Sequence, residues 1–425
     1  MKLVEQHIIK KSNSNWKQID HLCFLSKNLY NYSLYHINKH YTETGKFIRY
    51  NDLQREFYNI KQPDFHSLPT DTSKQILMLI DINFTCFFKL LSKWKKNKKS
   101  LSGCPRPPKY KHKTNGRNIV IFTCPNQIRI NECYIVFPKK MNLQPIKTNI
   151  YLKNNKIKQV RLIPKSSCYI IEIVYEELIN NRIQIVPNNN YLSIDLGLNN
   201  LMACYNSNNH NSFIINGKPL KSINQYYNKQ KGIIQSQLKK NHNKYKSHRL
   251  DTLNLKRNNK IKDYLHKSSR FIINYCISNN ISNIVIGYNK EWKQDINIGK
   301  RNNQNFVNIP YYILLEMVKY KGLMYNINII TNEESYTSKC SSLDLEPLTH
   351  KDNNGYYGKR VKRGMYKSAN KIKINADING SINILRKVTG DKVIEQYVQK
   401  QTQSSRGQVT WPLKVNPLKI SAICA

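Results

Sequence analysis

A chain of 425 residues is long enough for about two to four domains with buried cores, so neither disulfides nor a structural metal is required for folding. Its 69 lysines and arginines against 26 aspartates and glutamates leave a formal charge of +43, spread along the chain, and self-repulsion at that charge calls for a polyanionic partner, nucleic acid above all. No apolar run approaches the roughly 18 residues that span a bilayer, the start Met1 to His7 lacks an apolar secretory core, and the 10 cysteines form no Cys-x-x-Cys pair. The expectation is an intracellular protein with reduced thiols, no membrane partner, no disulfide framework and no zinc ribbon.

In chain order, Leu3 to Ile9 alternates as a strand, and Trp16 to Tyr41 carries apolar residues at helical spacing (Ile19, Leu22, Cys23, Leu25, Leu29, Tyr30). Tyr50 to Ile60 and Thr72 to Trp94 continue as amphipathic helices, the latter running into a basic stretch through Lys99. Stacked prolines from Gly103 to Lys111 exclude helix and mark a boundary. From Asn118 to Glu177 the pattern changes to short β-branched and aromatic runs, which predict an antiparallel barrel or sandwich that the first strand joins.

After Pro187 a third pattern begins: strand Tyr191 to Leu196, hairpin partners Leu201 to Tyr205 and Ser212 to Ile215, and polar helices over Leu220 to Asn279. Strand Ile284 to Gly287, helix Pro310 to Gly322, strand Ile327 to Ile330 and helix Asp377 to Val388 follow. This order fits a mixed sheet flanked by helices, as in the RNase H-like class. The last thirty or so residues read as a tail, docked or free.

Two acids stand out. Asp195 lies in an apolar strand, Ser193-Ile194-Asp195-Leu196-Gly197, where an unpaired charge is expensive; it is either hydrogen-bonded at a strand end or a metal ligand. Asp377, in Ala376-Asp377-Ile378-Asn379-Gly380-Ser381-Ile382-Asn383, is either a helix cap or the second half of a carboxylate cage for a hard cation such as Mg²⁺.

With "SIDLGLNNLMA" around Asp195, Asp263 to Lys267 followed by Ser269, Tyr336-Thr337-Ser338-Lys339, and "DINGSIN" from Asp377, the chain resembles, in that order, the RuvC core of the TnpB/Fanzor family of transposon-associated RNA-guided DNA endonucleases. The Gly103 to Lys111 segment and Leu29-Tyr30-Asn31 are similar to the family's amino-terminal half, so the resemblance covers nearly the whole chain. It implies a multidomain α+β protein. Residues 1–12 would give the first strand of a wedge β-barrel, 13–115 a helical recognition insertion, 116–186 the rest of the barrel, 187–395 an RNase H-like RuvC domain and 396–425 a tail. It also implies a guide RNA, duplex target DNA bearing a short adjacent motif, Mg²⁺ with Mn²⁺ as a substitute, and a monomeric ribonucleoprotein. Its place would be the nucleus of a eukaryotic host or the cytoplasm and nucleoid of a bacterial one, encoded by a virus or transposon.

The sequence departs from the family pattern twice. Where many relatives carry a glutamate at the end of the strand equivalent to Ile284 to Ile286, this chain has Gly287; Fanzor-like members with a similar Ile-Gly-x-Asn-Lys stretch use a glutamate on the next strand instead. Glu333 and Glu334 stand there, and alternation along a strand would send one inward. Glu334 is preferred as nearer the Tyr-Thr-Ser-Lys turn, Glu333 is the alternative, and Glu291 reads as a surface acid. The implied ligand and catalytic set is Asp195, Glu334 and Asp377, holding two metals about 4 Å apart. The second departure is the zinc ribbon: only Cys340 stands in the loop at 337–370, so that loop is expected to be metal-free.

Basic residues without balancing acids mark a nucleic-acid surface: Lys256, Arg257, Lys260, His266 and Lys267 on one helix, Lys290 and Lys293 beside Trp292, and Arg360 and Arg363 in the loop. A solvated helix face is the plain alternative, and core packing is that for Trp292. Two rival functions share these features: a nuclease-dead RNA-guided DNA binder and an RNase H-like transposase.

Overall fold

The computed structural model describes residues 2–150, 155–177, 182–289, 299, 303–304, 307–352, 355–403 and 411–419. It divides into two compact units, residues 1–180 and 181–425.

In the first unit, β1 (Lys2–Ile9) is followed by α1 (Trp16–Thr44), α2 (Tyr50–Asn59), α3 (Pro63–His66) and α4 (Thr70–Lys96). Then come β2 (Val120–Thr123), β3 (Arg129–Asn131), β4 (Tyr134–Val136), β5 (Ile146–Lys147), β6 (Asn155–Pro164) and β7 (Tyr169–Glu177). The first strand does join the later ones: β1 pairs antiparallel with β7 along its whole length, giving a four-stranded sheet in the order β1-β7-β6-β2. A separate sheet has the order β3-β4-β5, and among the described residues no ladder closes β2 back onto β1. The helices therefore interrupt a sheet. Asp20 of α1 ties them to it, taking Nε and Nη2 of Arg117 at 2.9 and 2.8 Å and the Tyr169 hydroxyl at 2.5 Å. The guanidinium of Arg117 holds the Asp20 carboxyl below its usual range.

One expectation is corrected here. By length and composition α4 is long and apolar enough to cross a bilayer, although Ile76, Leu77, Ile80 and Phe84 pack it into the core of this unit.

In the second unit, β8 (Tyr191–Leu196), β9 (Asn200–Asn206) and β10 (Ser212–Asn216) form an antiparallel meander, followed by α5 (Lys218–His242) and α6 (His248–Ser278). Next are β11 (Asn283–Gly287), α7 (Tyr311–Leu323) and β12 (Asn328–Asn332), then the short strands β13 (Lys359–Lys362), β14 (Met365–Lys367) and β15 (Lys373–Asn375). The unit ends with α8 (Ala376–Thr389), α9 (Glu395–Gln403) and β16 (Leu413–Val415). The large sheet runs β12-β11-β8-β9-β10-β16, with β11 parallel to β8, β12 parallel to β11, and β16 parallel to β10. The tail thus supplies an edge strand. One apolar core includes Leu192, Ile194, Ile272 and Leu314; the other lies with α8 and includes Ala203, Val285, Ile382 and Leu385.

The 337–370 loop is more ordered than its missing cysteines suggest, because β13-β14-β15 form a sheet of their own. Glu346, wholly buried, is its hub, accepting from Ser341 N at 2.7 Å, Tyr357 N at 3.0 Å and Lys351 Nζ at 3.0 Å.

Candidate active site

Alternation along β8 points Leu192, Ile194 and Leu196 into one core and leaves Ser193 and Asp195 for the other face, where α8 lies. The helix approaches closely. The Ser381 hydroxyl is 2.9 Å from that of Ser193, and a Cβ at Gly380 would stand 2.8 Å from Asp195 Oδ2. Only glycine at 380 leaves that carboxylate its space.

Asp377 is the second residue of α8, but it is not the cap. Asn375 caps the helix, its Oδ1 accepting from Asp377 N at 3.0 Å and Ile378 N at 3.2 Å. The Asp377 side chain is thereby free to accept from Asn200 Nδ2 at 2.5 Å and from an Arg360 Nη2 at 3.4 Å. Asn200 opens β9, immediately after the Gly197 turn that ends β8.

Glu333 and Glu334 lie just past the last residue of β12, so turn geometry, not strand alternation, separates them. Glu334 N donates to Asn289 Oδ1 at 2.9 Å, and its carbonyl accepts from Thr337 N at 3.2 Å and Oγ1 at 2.8 Å. Its side chain lies over Gly287, and its Oε1 is buried without a hydrogen-bond partner. Glu333 faces solvent and accepts from the Ser335 hydroxyl.

Asp195 senses the other two carboxylates. Burial first, then the charges of Glu334 and Asp377, hold Asp195 well above the usual carboxylate range, with Arg360 opposing them. Burial pushes Glu334 up to about 7. Tyr311, whose hydroxyl donates to Gly197 O at 2.9 Å, is pushed up by burial and then by Glu334 and Asp195. Among the described residues no three acid, histidine or cysteine side chains stand close enough together to hold a metal ion as they are placed. The donor set nonetheless suits a hard divalent cation: carboxylate oxygens that repel one another, one of them a buried orphan, with Gly287 and Gly380 leaving the side chains of Glu334 and Asp195 their room.

The "DINGSIN" asparagines have a structural task that sequence reading missed. Asn379 Oδ1 accepts from Ser342 N at 2.9 Å, and Asn379 and Asn383 both donate to Cys340 O, at 2.9 and 2.8 Å. One turn apart, they clamp the loop to the helix that carries Asp377; the i, i+4 spacing is the signal that could have revealed this.

The basic residues fall into different settings. Lys256 and Lys260 are exposed and, among the described residues, have no ion-pair partner. Arg257 is committed inside the protein, donating to Asn224 Oδ1 and Asn308 O, both at 2.9 Å, so the expectation of a free phosphate contact there is revised. His266 is half-buried and pushed down to about 4 by burial and by Lys321, hence neutral near pH 7, while its carbonyl accepts from Lys321 Nζ at 2.8 Å. Lys267 pairs with Asp263 at 3.0 Å, Arg360 meets Asp377, and Arg363 is exposed at the β13–β14 turn. Lys290, Glu291, Trp292 and Lys293 lie outside the described residues.

The chain matches the family model OrfB_IS605, described as a probable transposase, over residues 172–293, and the Cas12f1-like TNB domain model over residues 311–384. No curated protein matches it. Among solved structures it is similar in fold to one described as the cryo-EM structure of the Cas12f1-sgRNA-target DNA complex, at 15% identity and a TM-score of 0.52, covering 87% of this chain and 81% of that one. The mini-RNA-guided endonuclease CRISPR-Cas_phi3 also aligns, at 11% identity and a TM-score of 0.45, over 91% of this chain and 92% of the other. Asp195 lies inside the match to the first family model, and Glu334 and Asp377 inside the match to the second, so all three acids fall where the chain is similar to these families.

Proposed function

We propose that this protein is an RNA-guided DNA endonuclease that hydrolyses phosphodiester bonds at a RuvC-type site of Asp195, Glu334 and Asp377, with Mg²⁺ as cofactor and Mn²⁺ as a substitute. The observation that carries the reading is the convergence of acids from β8, the turn after β12 and the start of α8 in surroundings that raise Asp195 and Glu334, with Glu334 Oε1 left unpaired. When bound between these carboxylates, divalent cations supply Lewis-acid polarisation of the scissile phosphate and acidify the attacking water. The chain's own residues do the positioning. Asn200 orients the Asp377 carboxylate, Asn289 and Thr337 fix the backbone of Glu334, and Gly380 and Gly287 leave the Asp195 and Glu334 side chains their room. Arg360, on an exposed hairpin, donates to a backbone phosphate once it leaves Asp377.

The finer reading is a Fanzor-like member with a relocated glutamate and a zinc-free loop, acting inside the cell as a monomeric ribonucleoprotein. The first unit serves as a wedge with a helical recognition insertion, and the second as an RNase H-like nuclease. The +43 charge supports a guide RNA and a duplex target, as does the fold likeness to Cas12f1 in its complex with sgRNA and target DNA.

The test is to express the full chain with its native flanking DNA, sequence the RNA that copurifies, and assay Mg²⁺-dependent cutting of a matched plasmid. The expected result is a discrete RNA and cutting that Asp195→Ala removes without loss of DNA binding. No discrete RNA would favour the transposase; RNA-directed binding without cutting would favour the nuclease-dead binder.

A further inference from the structure

Helices α5 and α6 enclose a cleft of about 830 Å³, lined by tyrosines from α5 and basic residues from α6. Its floor is fixed. The Arg257 guanidinium lies 5.4 Å from the centre of the Tyr227 ring and donates to Asn224 on α5 and to the Asn308 carbonyl, so these two residues brace the helices against each other. The rim is different: Tyr226 is 62% exposed, which leaves a ring face available to a partner. Across from it on α6, Arg249, Lys256 and Lys260 fall at i, i+7 and i+11 on one helical face. All three are exposed, and none has an ion-pair partner among the described residues. Among the described residues no acid lines the cleft.

An exposed aromatic face opposite a row of unpaired cations is the chemistry that holds unpaired nucleotides, one group taking the base and the other the backbone. A duplex offers phosphates but no free base face, so the tyrosine would be idle against it. We propose that this cleft binds single-stranded nucleic acid, with a base stacked on Tyr226 and neighbouring phosphates on Lys256 and Lys260. This rests on the nucleic-acid reading of the protein but not on its catalytic site.

The probes are dodecamers of deoxythymidine and of uridine, each with one 5-iodopyrimidine, photocrosslinked to the full chain and mapped by mass spectrometry. Tyr226 is expected as a major adduct that survives competition by an equal nucleotide concentration of duplex. In Tyr226→Ala that adduct is necessarily absent, and single-strand affinity should fall about tenfold, while Tyr226→Phe keeps the affinity. Lys256→Ala with Lys260→Ala should lower the slope of log affinity against log salt by about 1.4, as two lost phosphate contacts on a single strand require. An adduct with the uridine probe alone would identify guide RNA as the occupant, and one with the deoxythymidine probe a DNA strand. Adducts only at other sites, or a Tyr226 adduct displaced equally well by duplex, would overturn the proposal. The same assay on Asp195→Ala separates the two readings, since crosslinking there should be unchanged even if cleavage fails for other reasons.

Discussion

Gly287 and Glu334 share one space: a Cβ at 287 would stand 2.7 Å from both Cγ and Oε1 of Glu334, and 2.5 Å from Ile384 Cδ1. The glutamate after β12 occupies the room that a side chain at the end of β11 would need, so the two positions are alternatives.

Gly287→Ala should therefore displace Glu334 and overpack against Ile384, costing about 1–3 kcal/mol in denaturant unfolding and most of the cleavage activity. Gly287→Glu should not rescue Glu334→Gln. Recovery to within tenfold of wild type would show that the positions are interchangeable.

Glu334→Gln should lower cleavage by at least about a hundredfold, while Glu333→Gln stays within a few-fold, measured as single-turnover rates with the guide bound. The contrast follows from the backbone anchor between Glu334 and Asn289, which turns one carboxylate inward and leaves its neighbour in solvent.

The raised carboxylates give metal-free protein a pH dependence of definite sign. Burial lifts Glu334 from 4.5 to about 7, so the folded state holds its proton where the unfolded chain has lost it. The stability this contributes is fully present below about pH 4.5 and lost as pH rises through about 7; Asp195, also raised, acts in the same direction. In EDTA the melting temperature should fall over that window. Added Mg²⁺ should raise it more at pH 8 than at pH 5, because ligands bind metal deprotonated. An equal gain at both pH values would argue against carboxylate ligation.

Glu346→Gln should cost about 1–3 kcal/mol, since it removes the charge paired with Lys351 and turns one of the two buried accepting oxygens into an amide NH₂ that cannot accept. A zinc-selective chelator should leave the wild-type melting temperature unchanged. A drop on chelation would show that a metal, not Glu346, holds the loop.

Much of this architecture is readable from local pattern. The apolar strand around Asp195 has the predicted bounds Tyr191 to Leu196, because an apolar run ended by a glycine turn needs no distant information. Strand alternation predicts that one of the two glutamates turns inward; the cause is instead a hydrogen bond from the Glu334 N–H to Asn289 Oδ1, on a residue 45 positions away that no periodicity connects. Asp377 could equally have been a helix cap in sequence, and only Asn375, two residues earlier, shows that the role is taken. The strands Lys359–Lys362 and Leu413–Val415 were missed because they are short and polar or exposed, and become strands through their partners. Arg257 reads as a phosphate contact among so many cations; its engagement with Asn224 and Asn308 is visible only once the helices pack.

The most direct measurement is a Mg²⁺-bound structure of the guided complex. The account predicts carboxylate oxygens of Asp195, Glu334 and Asp377 within about 2.0–2.1 Å of the metal, with Arg360 withdrawn from Asp377. Glu333 in that shell, or a metal held by the two aspartates with neither glutamate, would contradict it.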